Sequence, residues 1–331
     1  MCWHQIFYTR MNIIMKYYIC LLFLCTAFYS NAQELKTHKD SVAHARFLTL
    51  TNTLREQSYI TFFQGLGNLE PLLFEARLSP SFFFSNRQRN WALMLNPQVI
   101  VRMQRQKSYP INSPSYKVNL TYFYGLDGKV IYDHALLFAS LNHHSNGEAG
   151  EYYLKDTTAN TVNIDNGSFS TDFITLGFSS FKVKSKPKNM DAFQSIKAYM
   201  EIHPTFSSTT EIQNRYGNYR IYASWAAGGP WNPSTKTWLN RWMQHSGLET
   251  QSGWIFGEMQ GISRIDARKR WSIDIKYNYY PAWFDEVAFF VRFYRGQDYY
   301  NIYFMNTIHV VSFGLTSNIM NLKQTVKTLG R

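Results

Sequence analysis

"WALMLNPQVIVRMQ", residues 91–104, is the stretch that decides the fold class of this chain. Its polar side chains stand at even positions, whereas the odd positions are apolar throughout: Trp91, Leu93, Leu95, Pro97, Val99, Val101 and Met103. Successive side chains of a strand point to opposite faces, so this pattern describes a strand with one apolar face. The polar even set, which includes Asn96, Gln98, Arg102 and Gln104, suits a wet interior. The stretch therefore predicts a strand whose apolar face contacts lipid.

The same alternation recurs along the chain. It is clear in residues 271–279 and 287–294, and weaker copies lie at 117–125, 193–203, 218–226 and 307–316. Turn-forming residues separate these segments. Residues 254–265 are ambiguous, and Glu249-Thr250 reads as loop. We expect about ten to twelve strands between residues 59 and 318, which is the pattern of an all-β, transmembrane antiparallel β-barrel of about 12 strands.

Composition agrees with this fold class. The chain is 17% aromatic, with 23 Tyr, 25 Phe and 9 Trp, yet its mean hydropathy is only −0.32. Alternating strands keep mean hydropathy low even in a membrane protein, and aromatic side chains gather at membrane interfaces. A soluble all-β sandwich also alternates, but its aromatic content is normally lower.

The beginning of the chain predicts export. Arg10 and Lys16 precede the apolar stretch 17–29, and Ser30-Asn31-Ala32 offers a cleavage site, so residues 1–32 read as a signal peptide. Residues 33–58 read as a periplasmic N-terminal extension, residues 59–318 as the barrel domain and 319–331 as a C-terminal tail. All three cysteines precede residue 33, which excludes disulfides and thiol chemistry from the mature chain. The net charge of +12 favours anionic lipid surfaces as partners.

One strand combines the alternation with reactive side chains. In residues 135–145 the odd set is apolar and ends in His143 and Ser145, which therefore share the lipid-facing side. A serine becomes nucleophilic beside an imidazole, and a third group must orient that imidazole. Asp172 heads the apolar even row of the next strand, so it is the candidate for the third role. His144 points the other way, towards the lumen or a loop, and Asn146 helps to fix the turn.

Four segments of the sequence together resemble a known family. "NHHSNG" (142–147) resembles the NHxSNG signature of the outer-membrane phospholipase A family, and "SFSTD" (168–172) resembles its SxSxN stretch with Asp in place of Asn. Residues 290–315 resemble the family's closing hairpin, and "NSPSYKVNL" (112–120) resembles its calcium-binding loop.

The resemblance implies a barrel of about twelve strands in the outer membrane. It implies hydrolysis of acyl esters of membrane phospholipids, a requirement for Ca²⁺ and activation as a homodimer. Ser145, His143 and Asp172 would be catalytic, and the backbone amides of Ser145 and Gly147 would hold the oxyanion. By the same resemblance, calcium would be bound by Ser113 and by main-chain carbonyls at Glu148 and Ser168.

Two other readings remain open at this point. A lipid A deacylase is also a barrel with a lipid-facing His-x-Ser, although such barrels are shorter, with about eight strands. A passive porin or structural barrel would keep the same lumen and leave the serine inert. The polar trio on the lipid-facing side is what distinguishes an enzyme from the inert barrel.

Overall fold

The computed structural model describes residues 47–48, 50–62, 71–85, 90–106, 108, 110–126, 130–154, 161–184, 192–229, 238, 245–281, 283–284 and 287–317. The predicted signal peptide, residues 33–46 and the C-terminal tail lie outside the described residues. Among the residues described, no helix is long and apolar enough to cross a membrane.

Strands dominate the described chain. The helical elements are short: the α-helices α1 (Thr210–Gln213) and α2 (Ala267–Arg270), the 3-10 turns Thr205–Ser207 and Ile302–Met305, and a helical stretch that includes residues 50–53. The strands are β1 (Tyr59–Thr61), β2 (Leu72–Leu78), β3 (Phe82–Ser85), β4 (Trp91–Gln104), β5 (Ser115–Leu126), β6 (His134–Ser145), β7 (Ser170–Lys184), β8 (Ala192–Ile202), β9 (Tyr219–Gly228), β10 (Ser246–Phe256), β11 (Trp271–Tyr279), β12 (Val287–Gln297) and β13 (Thr307–Ser317).

These strands close into one antiparallel barrel. Each strand from β4 to β13 pairs with its neighbour in sequence, and β1 pairs with both β13 and β2. β2 and β3 both pair with β4, so they occupy one position interrupted at Ser79-Pro80, where proline lacks the amide that a ladder needs. The 13 strands thus fill 12 positions around the barrel. The predicted fold class is confirmed.

The alternation of polar and apolar residues that predicted the strands corresponds to side chains that face alternately inward and outward in the barrel wall. Along β4 the even-numbered residues from Ala92 to Arg102 are buried and the odd ones are partly exposed. In β12, Phe289, Val291 and Phe293 are exposed on the outer surface. Closure removes the sheet edges, so the backbone amides and carbonyls of the wall pair within it.

The prediction for Glu249-Thr250 is wrong. Both residues lie inside β10, where Glu249 is the register partner of Lys276 and Thr250 that of Ile275. The alternation is hidden because β10 carries polar side chains on both faces. Ser252 on the outer face accepts a hydrogen bond from Trp271 Nε1 at 2.9 Å, and Thr250 donates to Trp225 O at 3.3 Å.

The lumen is polar, and its arginines Arg102 and Arg292 are paired with carboxylates. Arg102 bridges two carboxylates, with Nε 2.7 Å from Glu75 and Nη1 2.9 Å from Asp298, and Arg292 pairs with Asp274 at 2.7 Å. Buried charges are tolerated when they are paired in this way.

Two apolar clusters lie at opposite ends of this polar lumen. The loop cluster lies at the end where β6 finishes and β7 begins, and the anchor cluster lies at the other end. The loop cluster comprises Tyr152, Phe169, Ile212, Tyr216, Ile302 and Phe304. The anchor cluster comprises Phe47, Leu50, Ala92, Met94, Phe123, Leu136 and Phe181.

Candidate active site

The outer wall of β6 presents a histidine and a serine at its end. His143 is exposed, with 46% of its side chain accessible, while Asn142 and His144 on either side are buried. Leu137, lower on the same face, is 45% exposed. His143 and Ser145 therefore continue an apolar, outward row of this strand, as its alternation predicts.

Strand pairing brings the predicted third residue alongside. β6 and β7 form an antiparallel pair in which His143 is the register partner of Asp172 and Ser145 that of Ser170. Directly opposed residues hold their side chains on the same face of the sheet. Asp172 is 21% exposed, and Leu176 continues its outward row at 46%. A carboxylate on such a wall is costly unless it has a partner.

The three side chains form a hydrogen-bonded chain. His143 Nδ1 lies 2.7 Å from Asp172 Oδ1, and His143 Nε2 lies 3.1 Å from Ser145 Oγ. A carboxylate can only accept, so Nδ1 carries the hydrogen in the neutral tautomer and Nε2 is free to accept from Ser145. This order of groups can activate a hydroxyl for attack on an ester carbonyl.

The turn after Ser145 exposes a backbone amide. Gly147 has φ +74, in the left-handed region that glycine adopts without strain. Its N–H has no hydrogen-bond partner among the described residues. A Cβ at Gly147 would stand 3.3 Å from Cε2 of Tyr116, the register partner of Ser145 on β5. Glycine thus fits both the backbone angle and the space, and its free amide can stabilise an anion close to Ser145.

A buried asparagine ties this turn to the strand that carries Asp172. Asn146 is 3% exposed, and its Oδ1 accepts from the amides of Phe169 at 3.0 Å and Glu148 at 3.3 Å. Its Nδ2 donates to Gly167 O at 2.8 Å. One side chain therefore fixes the turn of residues 146–148 against residues 167–169. Its role in the turn was predicted from the sequence, but its hydrogen bonds to the segment that leads into β7 were not.

Two of the three predicted calcium ligands lie together. Ser113 Oγ lies 2.8 Å from Glu148 Oε1 and 3.3 Å from Asp165 O. Hydroxyl, carboxylate and carbonyl oxygens are the ligands that Ca²⁺ prefers, so this donor set fits the ion. The resemblance implied the main-chain carbonyls of Glu148 and Ser168, whereas the Glu148 group that contacts Ser113 is its carboxylate. Ser168 donates its amide to Gly150 O at 3.0 Å, and no described contact joins Ser168 to Ser113 or Glu148. No group of three or more His, Cys, Asp or Glu suited to a metal occurs among the described residues.

His144 faces the interior, as its parity predicts. It is 3% exposed, and its Nε2 lies 2.6 Å from Ser115 Oγ and 2.8 Å from Tyr300 O. Its ring packs edge-on against Phe169 at 4.8 Å. These contacts hold the inner side of β6 and place His144 across the wall from Ser145.

A second buried histidine, His203, contacts the lumenal side of β7 at the residues on either side of Asp172. His203 Nδ1 lies 3.2 Å from Thr171 Oγ1, and its ring stacks on Phe173 at 4.5 Å. Burial lowers the pKa of His203 to about 4, although the neighbouring Glu201 acts in the opposite direction. The ring is therefore neutral near pH 7 and adds no positive charge behind Asp172.

Sequence reasoning missed two contributors to the site. Tyr116 precedes the weakly alternating segment 117–125 in β5, and only the register of β5 with β6 places it beside Ser145. Asp165 contacts Ser113 Oγ through its main-chain carbonyl, and a main-chain contact leaves no residue-type signal in the sequence.

Comparison with known proteins supports the fold. No protein-family model matches the chain, and no curated protein matches its sequence. Solved structures do match. The outer membrane phospholipase A from Escherichia coli has 13% identity and a TM-score of 0.51, covering 83% of this chain and 98% of that one. An active-site mutant of the same protein gives 12% identity and a TM-score of 0.50 over 85% and 99% of the two chains.

A third solved structure is the Salmonella typhi outer membrane phospholipase dimer with bound calcium. It has 14% identity and a TM-score of 0.51, covering 82% of this chain and 98% of that one. Coverage is nearly complete for all three neighbours. At these identities the likeness establishes a shared transmembrane antiparallel barrel. Chemistry has to be argued from the residues of this chain.

Proposed function

We propose that this chain is an outer-membrane phospholipase that hydrolyses acyl ester bonds of glycerophospholipids, of the phospholipase A1/A2 and lysophospholipase type. The observation that carries the proposal is the chain of hydrogen bonds from Ser145 through His143 to Asp172 on the outward face of the wall. A serine there meets lipid acyl esters directly from the membrane. Support also comes from the fold shared with outer membrane phospholipase A.

The chemistry follows from the order of the groups. Ser145 Oγ attacks the acyl carbonyl while His143 Nε2 takes its proton, and Asp172 stabilises the imidazolium through Nδ1–H. The amides of Ser145 and Gly147 donate to the oxyanion that forms. His143 then returns its proton to the leaving lysophospholipid oxygen. Water, deprotonated by the same imidazole, releases the fatty acid and restores Ser145.

Calcium would be held close to this machinery. Ser113, Glu148 and the carbonyl of Asp165 would hold it, since their oxygens converge at the loop that follows Gly147. When bound, the ion supplies positive charge that stabilises the developing oxyanion or polarises a bound water. The neighbour from Salmonella typhi is described with bound calcium.

We extend the proposal to a homodimer as the active form. The outer wall beside the site is apolar, with Tyr116 at 40% and Val118 at 43% exposure. A second copy could cover this surface and lengthen the apolar wall available to an acyl chain. Light scattering of the purified protein with and without calcium tests this part. A monomer at full activity would contradict it.

Fatty-acid release from phosphatidylethanolamine in mixed micelles tests the function. We expect release with calcium, loss of release with a chelator, and none from Ser145→Ala. Release that persists in Ser145→Ala would exclude the mechanism, and absence of release from the parent protein under all calcium conditions would favour the inert barrel. Deacylation of lipid A, with phospholipid untouched, would favour the deacylase reading, although the 12 barrel positions exceed the shorter barrel expected for that class.

A further inference from the structure

The described residues of the segment 47–58, which are 47–48 and 50–58, lie inside the barrel and precede the first strand. The helical stretch that includes residues 50–53 leads into Thr53, Leu54, Arg55, Glu56 and Gln57, which line a lumenal cavity of about 340 Å³. β1 begins directly afterwards, at Tyr59. The segment thus enters the lumen before the chain joins the wall.

The apolar part of the segment is bound to one side of the wall. Phe47 is 6% and Leu50 4% exposed, and both belong to the anchor cluster. The barrel residues of that cluster are inward-facing and come from four consecutive strands, β4 to β7, at the end opposite Ser145: Ala92, Met94, Phe123, Leu136 and Phe181. Between this cluster and the loop cluster the lumen is mostly polar, although Ile100 and Phe290 also line the cavity. An inward apolar patch at one end is explained by a partner that covers it.

The polar part of the segment is bound to the other side. Gln57 O accepts from Arg77 Nε of β2 at 2.8 Å, and Gln57 Oε1 accepts from Lys276 of β11 and, at 3.2 Å, from Thr316 of β13. Ser58 O accepts from the amide of Ser317 at 2.9 Å. The segment therefore contacts β4–β7 through its apolar residues and β2, β11 and β13 through its polar ones. It crosses the lumen.

Charge complements these contacts. Glu56 Oε2 lies 2.7 Å from Arg77 Nη1. Lys117, Lys197 and Lys276 line the same cavity, and among the described residues none of them has an ion pair there. The segment therefore brings the Glu56 carboxylate, whose side chain is 46% exposed, into a lumen with surplus positive charge, and Arg55 of the same segment also lines that cavity.

We propose that the basic lumen is a binding site for the chain's own N-terminal segment, and that residues 47–58 plug the barrel at the end opposite Ser145. Phe47 and Leu50 anchor the plug, and Glu56 with Gln57 fixes it across the cavity. The plug excludes aqueous solutes from the lumen. It is independent of the catalytic proposal, because none of its residues touches the outer wall.

Cysteine accessibility provides the test, because residues 33–331 contain no cysteine. Ser312 lines the cavity and is 3% exposed, so Ser312→Cys reports entry of a reagent into the lumen. The probe is the anionic thiol reagent sulfonatoethyl methanethiosulfonate, which the basic lumen does not repel. Glu258→Cys, in an exposed loop, gives the labelling rate of an open position.

We expect Ser312→Cys to react slowly, and to react roughly tenfold faster or more when Phe47→Asp and Leu50→Asp are added, since these changes destabilise only the docked segment. Glu258→Cys should react equally in both backgrounds. Glu56→Gln is a milder variant, expected to raise the Ser312→Cys rate by a smaller factor. Gel mobility of the unheated barrel shows that each variant is folded.

Two results would overturn the plug. One is Ser312→Cys reacting as fast as Glu258→Cys in the otherwise unchanged protein, which would mean an open lumen. The other is an unchanged labelling rate of Ser312→Cys in the folded Phe47→Asp/Leu50→Asp variant and in the folded Glu56→Gln variant. Fatty-acid release is measured on the same samples and should be unchanged by Glu56→Gln. A failure of the phospholipase proposal would appear only in the fatty-acid release assay and would leave the cysteine-labelling result unchanged.

Discussion

His143 and Asp172 are register partners on neighbouring strands, and His143 Nδ1 lies 2.7 Å from Asp172 Oδ1 on the outer wall of the barrel. This pairing fixes the tautomer of the imidazole and leaves Nε2 directed at Ser145. Without the Asp172 carboxylate the imidazole ring could turn, and the hydrogen on Nδ1 could move to Nε2, which must accept the hydrogen bond from Ser145.

The Asp172 side chain can be tested by a graded pair of substitutions. Asp172→Asn keeps an oxygen that accepts from Nδ1, so we expect the rate of fatty-acid release to fall by less than about tenfold. Asp172→Ala removes the acceptor and should lower kcat by about 10²-fold or more. Equal, large losses in both would show that the negative charge itself is required. Full activity in Asp172→Ala would remove this residue from the mechanism.

The two adjacent histidines of β6 provide a matched comparison. His143→Ala should lower the rate of fatty-acid release to about 10⁻³ of the parent rate or less, because Ser145 loses its base. His144→Ala removes buried contacts with Ser115 and Tyr300 and should lower the unfolding free energy while folded protein keeps its activity. Urea unfolding and the lipid assay on the same samples separate the two effects. Loss of activity in folded His144→Ala with retention in His143→Ala would reverse the assignment.

The proposed calcium ligands can be distinguished from a nearby carboxylate by substitution. Ser113→Ala and Glu148→Gln should each weaken calcium binding by roughly tenfold or more, since each removes an oxygen ligand and Glu148→Gln also removes a charge. Glu151→Gln is the matched control, because Glu151 is an exposed carboxylate of the same loop. Calorimetric titration with calcium measures all three without relying on catalysis. Unchanged affinity in both test variants would place the ion elsewhere.

Asn146 should affect kcat of fatty-acid release indirectly, because its side chain fixes the turn of residues 146–148. Asn146→Ala frees residues 146–148 from residues 167–169, so the Gly147 amide is no longer fixed near Ser145. We expect kcat to fall by about 10–10²-fold with little change in KM. Asn142→Ala, also buried on β6 and bonded to Thr175, should cost stability alone. A change in KM without a change in kcat would contradict the positioning role.

The fold was predictable because strand alternation is a local property. The odd and even sets of β4 and β6 describe their two faces directly, and the shared parity of His143 and Ser145 follows from the two-residue repeat. The alternation did not reveal β10, because Thr250 and Ser252 are polar yet face outward, where they form hydrogen bonds with neighbouring groups. A pattern based on hydropathy alone cannot register such pairing.

Parts of the site that depend on register or on the backbone were beyond the sequence. Parity placed Asp172 on the correct face, but only pairing of β6 with β7 sets it opposite His143. The contact of Ser113 with Asp165 O and the lumenal position of Phe47 arise from loop geometry and long-range packing. Residues 47–58 fell within a segment predicted as a polar extension, because its few apolar residues follow no strand alternation. Phe47 and Leu50 are buried in the anchor cluster, and Leu48 and Leu54 pack partly buried against it.

The nucleophile can be tested most directly by covalent capture of Ser145. A long-chain alkylsulfonyl fluoride should modify the protein at one site in step with the loss of fatty-acid release, and peptide mass spectrometry should place the adduct on Ser145. The adduct should be absent from Ser145→Ala and from His143→Ala. An adduct on another residue that removes activity, or full activity in a protein modified completely at Ser145, would contradict the account.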